Sequence, residues 1–223
     1  MNNIKLVIFD CDGVLVDTEP VTDVVIADNL TSHGLPIAPH EVHRLFAGGT
    51  MAGVRDEAAK RGANLPDNWL DQIYDQIFTA LRKGVPTYDG LFDLLDTLDT
   101  AGIQRAIASN GPMQKMEISL TPSGLWDRFA GRIYSGHDHG PKPAPDMLLK
   151  IMADAAVRPD QAIMIDDMPA GFQAAKAAGI PCLAFLADGD QSRANDSGAT
   201  PVRSMLEIRE ALGFATTLTQ HQA

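Results

Sequence analysis

Short apolar runs recur along the chain, each too brief for a helix and each giving way to polar residues. The first, KLVIF at 5–9, is β-branched or aromatic and shows no alternation, as expected of a strand covered on both faces of a parallel sheet. Similar runs stand at 105–109 (RAIAS), 162–166 (AIMID) and 181–185 (PCLAF). Between them the period changes to that of a helix. Leu91, Leu94, Leu95 and Leu98 share one helical face, and Gly102 marks a stop. The segment PAGFQAAKAAG has proline near its start and Gly179 at its end, with alanines suited to close contact with a sheet. Strands alternating with helices predict βα units, hence an α/β fold with a mostly parallel sheet.

From about 18 to 86 the pattern differs, and no run reads as a buried strand. Trp69, Ile73, Ile77 and Leu81 recur every fourth residue, with Tyr74 and Phe78 widening the stripe. Segments 19–33 and 50–62 are further helix candidates. The expected organisation is a discontinuous α/β core, 1–17 and 88–214, interrupted by a helical domain at 18–87. The last residues, 215–223, carry no pattern and are expected to fray.

Charge narrows the partners. The 223 residues include 18 basic and 29 acidic ones, a net charge of −11, so a nucleic-acid phosphate backbone is not an expected ligand. A small anionic substrate needs a local cationic site, because the overall field repels it. Cys11 and Cys182 are far apart and lack metal-type spacing, which supports neither a disulfide framework nor a zinc site. The first apolar run breaks into Asp10 too early for a leader or a membrane span, so a soluble cytoplasmic protein is expected, as a monomer or weak homo-oligomer.

The polar ends of the strands hold the chemistry. Open α/β sheets bind ligands at the carboxyl ends of their strands. Here those ends carry Asp10, Cys11, Asp12 and Gly13 after the first run, Ser109, Asn110 and Gly111 after the second, and Asp166 and Asp167 after the third; Lys142 lies in the loop GPKPAPD. Two carboxylates about 4 Å apart repel by ~4 kcal/mol at an effective dielectric near 20, so the cluster calls for a cation or raised pKa values. Hard oxygen ligands open to solvent suit Mg²⁺, which accepts a phosphate oxygen as a further ligand. Ser109, the Asn110 amide and Lys142 are the matching donors for a phosphoryl group.

Together, DCDGVLVDTE, ASNG, KPAPD and IDDMPAG resemble, in order, the four motifs of the haloacid dehalogenase superfamily with an α-helical cap. The resemblance extends over nearly the whole chain. It is to the sugar-phosphate phosphatases and β-phosphoglucomutase, and SNGPMQKM with IDDMPAGFQAAKAAGIP is similar to the branch that includes 6-phosphogluconate phosphatase. It implies a Rossmann-like core, a phosphorylated metabolite as substrate and Mg²⁺ as cofactor. By that resemblance Asp10 is the nucleophile and Asp12 the general acid and base. Asp10, the Asp12 carbonyl and Asp167 hold the metal, Asp166 is an auxiliary acid, and Ser109, Asn110 and Lys142 bind phosphate. Lys142-Pro143 is a position where the family often has a cis peptide.

Each motif alone has a plainer reading. Asp-x-Asp-Gly fits a turn or a loose Ca²⁺ loop, Ser109 to Gly111 a helix cap, and Lys142 a solvated lysine. Cys11 is expected to pack away from the aspartates, and Trp69, Ile73 and Ile77 to be core. His33, His40, His43, His137 and His139, the arginines Arg44 and Arg55, and the loop Gly48-Gly49-Thr50 are expected to be ordinary loop or surface groups. Two rivals differ in specific ways. A β-phosphoglucomutase-type mutase resembles the core but carries a His followed by a Trp early in the first cap helix, where EPVTDVVIADNL has neither. A phospho-aspartate receiver module places its acidic pair a strand and a helix before the acceptor and has no helical insertion. Dehalogenase and phosphonatase readings are disfavoured by Asp12.

Overall fold

The computed structural model describes residues 3–46 and 51–214. Six parallel strands form one sheet: β1 (Leu6–Phe9), β2 (Gln104–Ser109), β3 (Ile133–Ser135), β4 (Ala162–Asp166), β5 (Cys182–Phe185) and β6 (Thr200–Val202), in spatial order β3-β2-β1-β4-β5-β6. Leu6 is in register with Gln104 on one side and Ala162 on the other, so β1 is central. All four of its residues are buried, which is why it reads as an unbroken apolar run.

The helices cover both faces. Val7 and Phe9 face a core built with Leu91, Leu94, Leu95 and Leu98 of α5 (Leu91–Thr100), as the leucine spacing predicts. Leu6 and Ile8 face the other core, against α9 (Asp146–Asp154) and α10 (Pro169–Ala178). The result is the expected Rossmann-like three-layer core. Strands β3 and β6 are absent from the sequence reading: each has three residues at a sheet edge and no continuous apolar run.

Between β1 and α5, the described residues form four helices: α1 (Glu19–Ser32), α2 (Pro39–Phe46), α3 (Met51–Lys60) and α4 (Trp69–Leu81). They enclose their own apolar cluster, which includes Ile26, Leu30, Val54, Trp69, Ile73, Ile77 and Leu81. Of the predicted stripe, Tyr74 is instead exposed and Phe78 partly buried. The buried Trp69 indole N–H donates to Asn29 Oδ1 at 2.6 Å, and the Asn29 amide donates to Gln76 at 3.0 Å. This gives the one polar tip of the indole a partner inside the cap. The two crossings between cap and core run side by side: Asp17 N–H donates to Pro86 C=O at 2.9 Å, and Val16 bridges Thr87. Gly48, Gly49, Thr50 and 215–223 lie outside the described residues. Among the described residues no helix is long and apolar enough to cross a membrane.

Candidate active site

The switch point of this strand order lies between β1 and β4, where connections leave the sheet in opposite directions. Asp10 follows β1, Asp166 ends β4, and Asp167 comes next. One oxygen from each of these three lies within 4.8 Å of the other two. Sequence-distant carboxylates are therefore brought together by strand register.

Room for them comes from two glycines. Gly13 has φ +77°, a left-handed value, and a Cβ there would come within 2.4 Å of Asp167 Oδ2. At Gly171, in the first turn of α10, a Cβ would meet the Asp166 carboxyl at 2.0 Å. The Asp166 carboxylate thus lies over the start of that helix, accepting from Met168 N–H at 2.9 Å.

Lys142 is the internal counter-charge. Its Nζ is 2.9 Å from Asp10 Oδ1 and 2.6 Å from Asp166 Oδ2, with the side chain only 4% exposed. Burial opposes its charge, yet the two carboxylates outweigh burial and hold the proton well above the usual lysine range. Asp10 Oδ1 also accepts from Cys11 N–H at 2.8 Å. One lysine does not neutralise three acids. Burial, chiefly, pushes Asp10 up to about 7, with the Asp166 and Asp12 charges adding to it against Lys142. Burial, then Asp10 and Asp166, pushes Asp167 up to about 8. Asp167 Oδ1 is buried with no hydrogen-bond partner. A buried acceptor left without a donor, beside two more carboxylates, fits a hard divalent cation.

Asp12 sits apart from that cluster and is held at both oxygens. Oδ1 accepts from the Thr18 hydroxyl at 2.8 Å, and Oδ2 from Lys115 Nζ at 2.8 Å. Burial works to raise its pKa, but Lys115 and Thr18 together hold it below the ordinary carboxylate value.

Ser109 and Asn110 lie beside the lysine loop. Ser109 ends β2, buried, with its Oγ accepting from Gly111 N–H at 3.1 Å. The Asn110 side chain faces the lysine loop rather than open space: its Nδ2 donates to Lys142 C=O at 2.9 Å, and its Oδ1 accepts from Lys142 N–H at 2.7 Å. The Lys142-Pro143 peptide is cis. Cys11 is fully buried in the core, as expected. His43 lies 3.2 Å from Asp23, Arg55 pairs with Asp56, and His139 packs on Tyr134.

Three contributors escaped the sequence reading. Thr18 and Lys115 grip Asp12, and Arg193 places Nη1 3.7 Å from Asp167 Oδ2. Lys115 stands six residues after Ser109, in the first turn of the helix that follows β2, and that position is the available signal. Arg193 had none, since its loop carries no motif.

Residues 7–185 match the family model described as haloacid dehalogenase-like hydrolase. The chain belongs to that family. This haloacid dehalogenase-like hydrolase is 28% identical over 191 residues to the 6-phosphogluconate phosphatase of Escherichia coli K12, covering 84% of this chain and 85% of that one. It is 31% identical over 197 residues to the phosphoglycolate phosphatase of Pseudomonas savastanoi pv. phaseolicola, covering 81% and 69%. Among solved structures, a HAD family hydrolase from Deinococcus radiodurans R1 with bound phosphate and sodium superposes with a TM-score of 0.82 at 28% identity, covering 94% and 95%.

Proposed function

We propose that this protein is a Mg²⁺-dependent phosphatase that hydrolyses a sugar or sugar-acid phosphate through an aspartyl-phosphate on Asp10. The observation that carries the reading is the triple of Asp10, Asp166 and Asp167 with the unpartnered Asp167 Oδ1, set against a buried lysine. Relatives named as phosphatases of phosphorylated small metabolites support it.

Asp10, the Asp12 carbonyl and Asp167 would hold Mg²⁺, with Asp166 beside them; the ion supplies charge neutralisation for phosphoryl oxygens when bound. The chain's own residues do the rest. Lys142 and Cys11 N–H engage Asp10 Oδ1, which leaves Oδ2 to attack phosphorus. The Asp10–phosphorus bond forms as the ester bond breaks; Asp12, ionised beside Lys115 and Thr18 in the substrate-free site, takes up a proton as the anionic phosphate ester enters and gives it to the departing alkoxide. In the second half, water attacks phosphorus, the Asp10 bond breaks, and the water proton passes to Asp12. The Ser109 hydroxyl, the Asn110 backbone N–H and the Lys142 ammonium would bind the transferring group, where positioned charge contributes most. The cap would close over this cleft and select the alcohol.

A panel of phosphorylated metabolites with Mg²⁺, reading released phosphate, tests the proposal. Release from sugar or sugar-acid phosphates, lost in Asp10→Asn, supports it. Conversion of β-glucose 1-phosphate to glucose 6-phosphate without phosphate release would replace it with the mutase reading.

A further inference from the structure

The site contains two lysines with separate duties. Lys142 is committed to Asp10 and Asp166. Lys115, in α6 (Met113–Leu120), contacts Asp12, and its side chain remains 26% exposed toward solvent. Asp12 is joined on its other oxygen to Thr18, the residue that precedes α1 of the cap. The carboxylate is therefore strung between a core helix and the entry to the cap, with both oxygens engaged at 2.8 Å.

We propose that Lys115 is a positioning residue for proton transfer: with Thr18 it fixes the orientation of the Asp12 carboxylate in both halves of the reaction. A carboxylate on two freely rotating single bonds loses most of its acid–base advantage, because such transfer needs the heavy atoms within hydrogen-bond reach in one geometry. Thr18 alone fixes one oxygen and leaves rotation about that contact; the ammonium removes it. The stem of Lys115 passes 3.8 Å from where a Cβ on Gly111 would stand, so a bare backbone lies beside it in the phosphate loop. Lys115 acts on Asp12 and is not assigned a contact with substrate.

The inference rests on the phosphatase reading, and the experiment separates the two. Lys115→Met, Lys115→Arg and wild type are assayed with Mg²⁺ on p-nitrophenyl phosphate and on glucose 6-phosphate or 6-phosphogluconate, whichever wild type hydrolyses faster. The parameter kcat/KM reports the steps through departure of the alcohol. A sugar alkoxide needs a proton to leave, whereas p-nitrophenolate does not.

Lys115→Met is expected to lower kcat/KM for the sugar ester by about 10- to 100-fold and for the aryl ester by less than about 3-fold, the sugar-ester loss being a part of the roughly 10²- to 10⁴-fold that a general acid contributes. Its kcat on the aryl ester should also fall, since water attack on the phospho-enzyme still requires Asp12. Lys115→Arg should recover part of the loss on the sugar ester. Equal losses on both esters, with a matching fall in melting temperature, would make Lys115 merely structural and overturn the proposal. A raised KM with unchanged kcat would also overturn it, by making the lysine a substrate ligand. If wild type released phosphate from no ester, the phosphatase reading itself would fall.

Discussion

Asn110 and Lys142 exchange two hydrogen bonds, the side-chain amide of one closing on the backbone N–H and C=O of the other. This pair ties the loop after β2 to the loop that delivers the lysine, across 32 residues of sequence. Asn110→Ala removes both bonds and leaves the Lys142 backbone groups without these partners. The expected outcome is a stability loss of about 1–3 kcal/mol in denaturant unfolding. Turnover should fall more steeply, by about 10- to 100-fold, because a misplaced lysine no longer faces Asp10.

Asp10→Asn should abolish phosphate release and any acid-stable or trapped phospho-enzyme. The fold should persist, since an amide still occupies the same volume against Lys142. Mass spectrometry of the quenched enzyme and circular dichroism check the two halves of this expectation.

Metal binding should be linked to protons. In the unfolded chain Asp10 and Asp167 ionise near 3.8, but in the metal-free fold they are pushed up to about 7 and about 8. Between those limits the native state binds more protons than the unfolded one. The contribution of the protonated carboxyls to stability is therefore complete below about 3.8 and is lost as pH rises through about 8. Mg²⁺ requires the ionised acids, so its affinity should rise with pH up to about 8, with proton release on binding below that value. Calorimetry in buffers of different ionisation enthalpy measures the released protons. Affinity independent of pH over this range would contradict the expectation.

Gly171→Ala places a methyl group 2.0 Å from the Asp166 carboxyl, a contact that forces the carboxyl or the helix to move. The expected cost is about 1–3 kcal/mol of stability. Magnesium affinity should weaken as well, since Asp167 directly follows Asp166 at the end of β4 and moves with it. Thermal melts with and without Mg²⁺ separate the two effects.

Trp69→Phe tests the cap alone. It removes the indole donor from Asn29 in a fully buried setting, for an expected loss of about 1–3 kcal/mol. Phosphate release at temperatures well below the melt should remain near the wild-type rate.

Much of this protein is written in local sequence. Short two-sided apolar runs announce β1, β2, β4 and β5, because burial on both faces permits no polar interruption. The leucines of α5 and the Trp69 stripe announce helices, because burial on one face leaves a 3.6-residue period. Asp10, Asp12, Asp166 and Asp167 stand at strand ends, where a parallel sheet collects its ligands. Edge strands β3 and β6 are not legible in this way, since half-exposed three-residue segments have no apolar signal to give. Nor are the partners of the strand-end acids. That Lys142 meets Asp166, that Lys115 and Thr18 share Asp12, and that Arg193 approaches Asp167 are matters of distance between segments up to 103 residues apart. Composition and spacing determined which chemical groups exist and on which elements they ride. Only the packed sheet, with its register and crossings, decided which of those groups touch, because electrostatic and hydrogen-bond energies depend on ångströms in space and not on position along the chain.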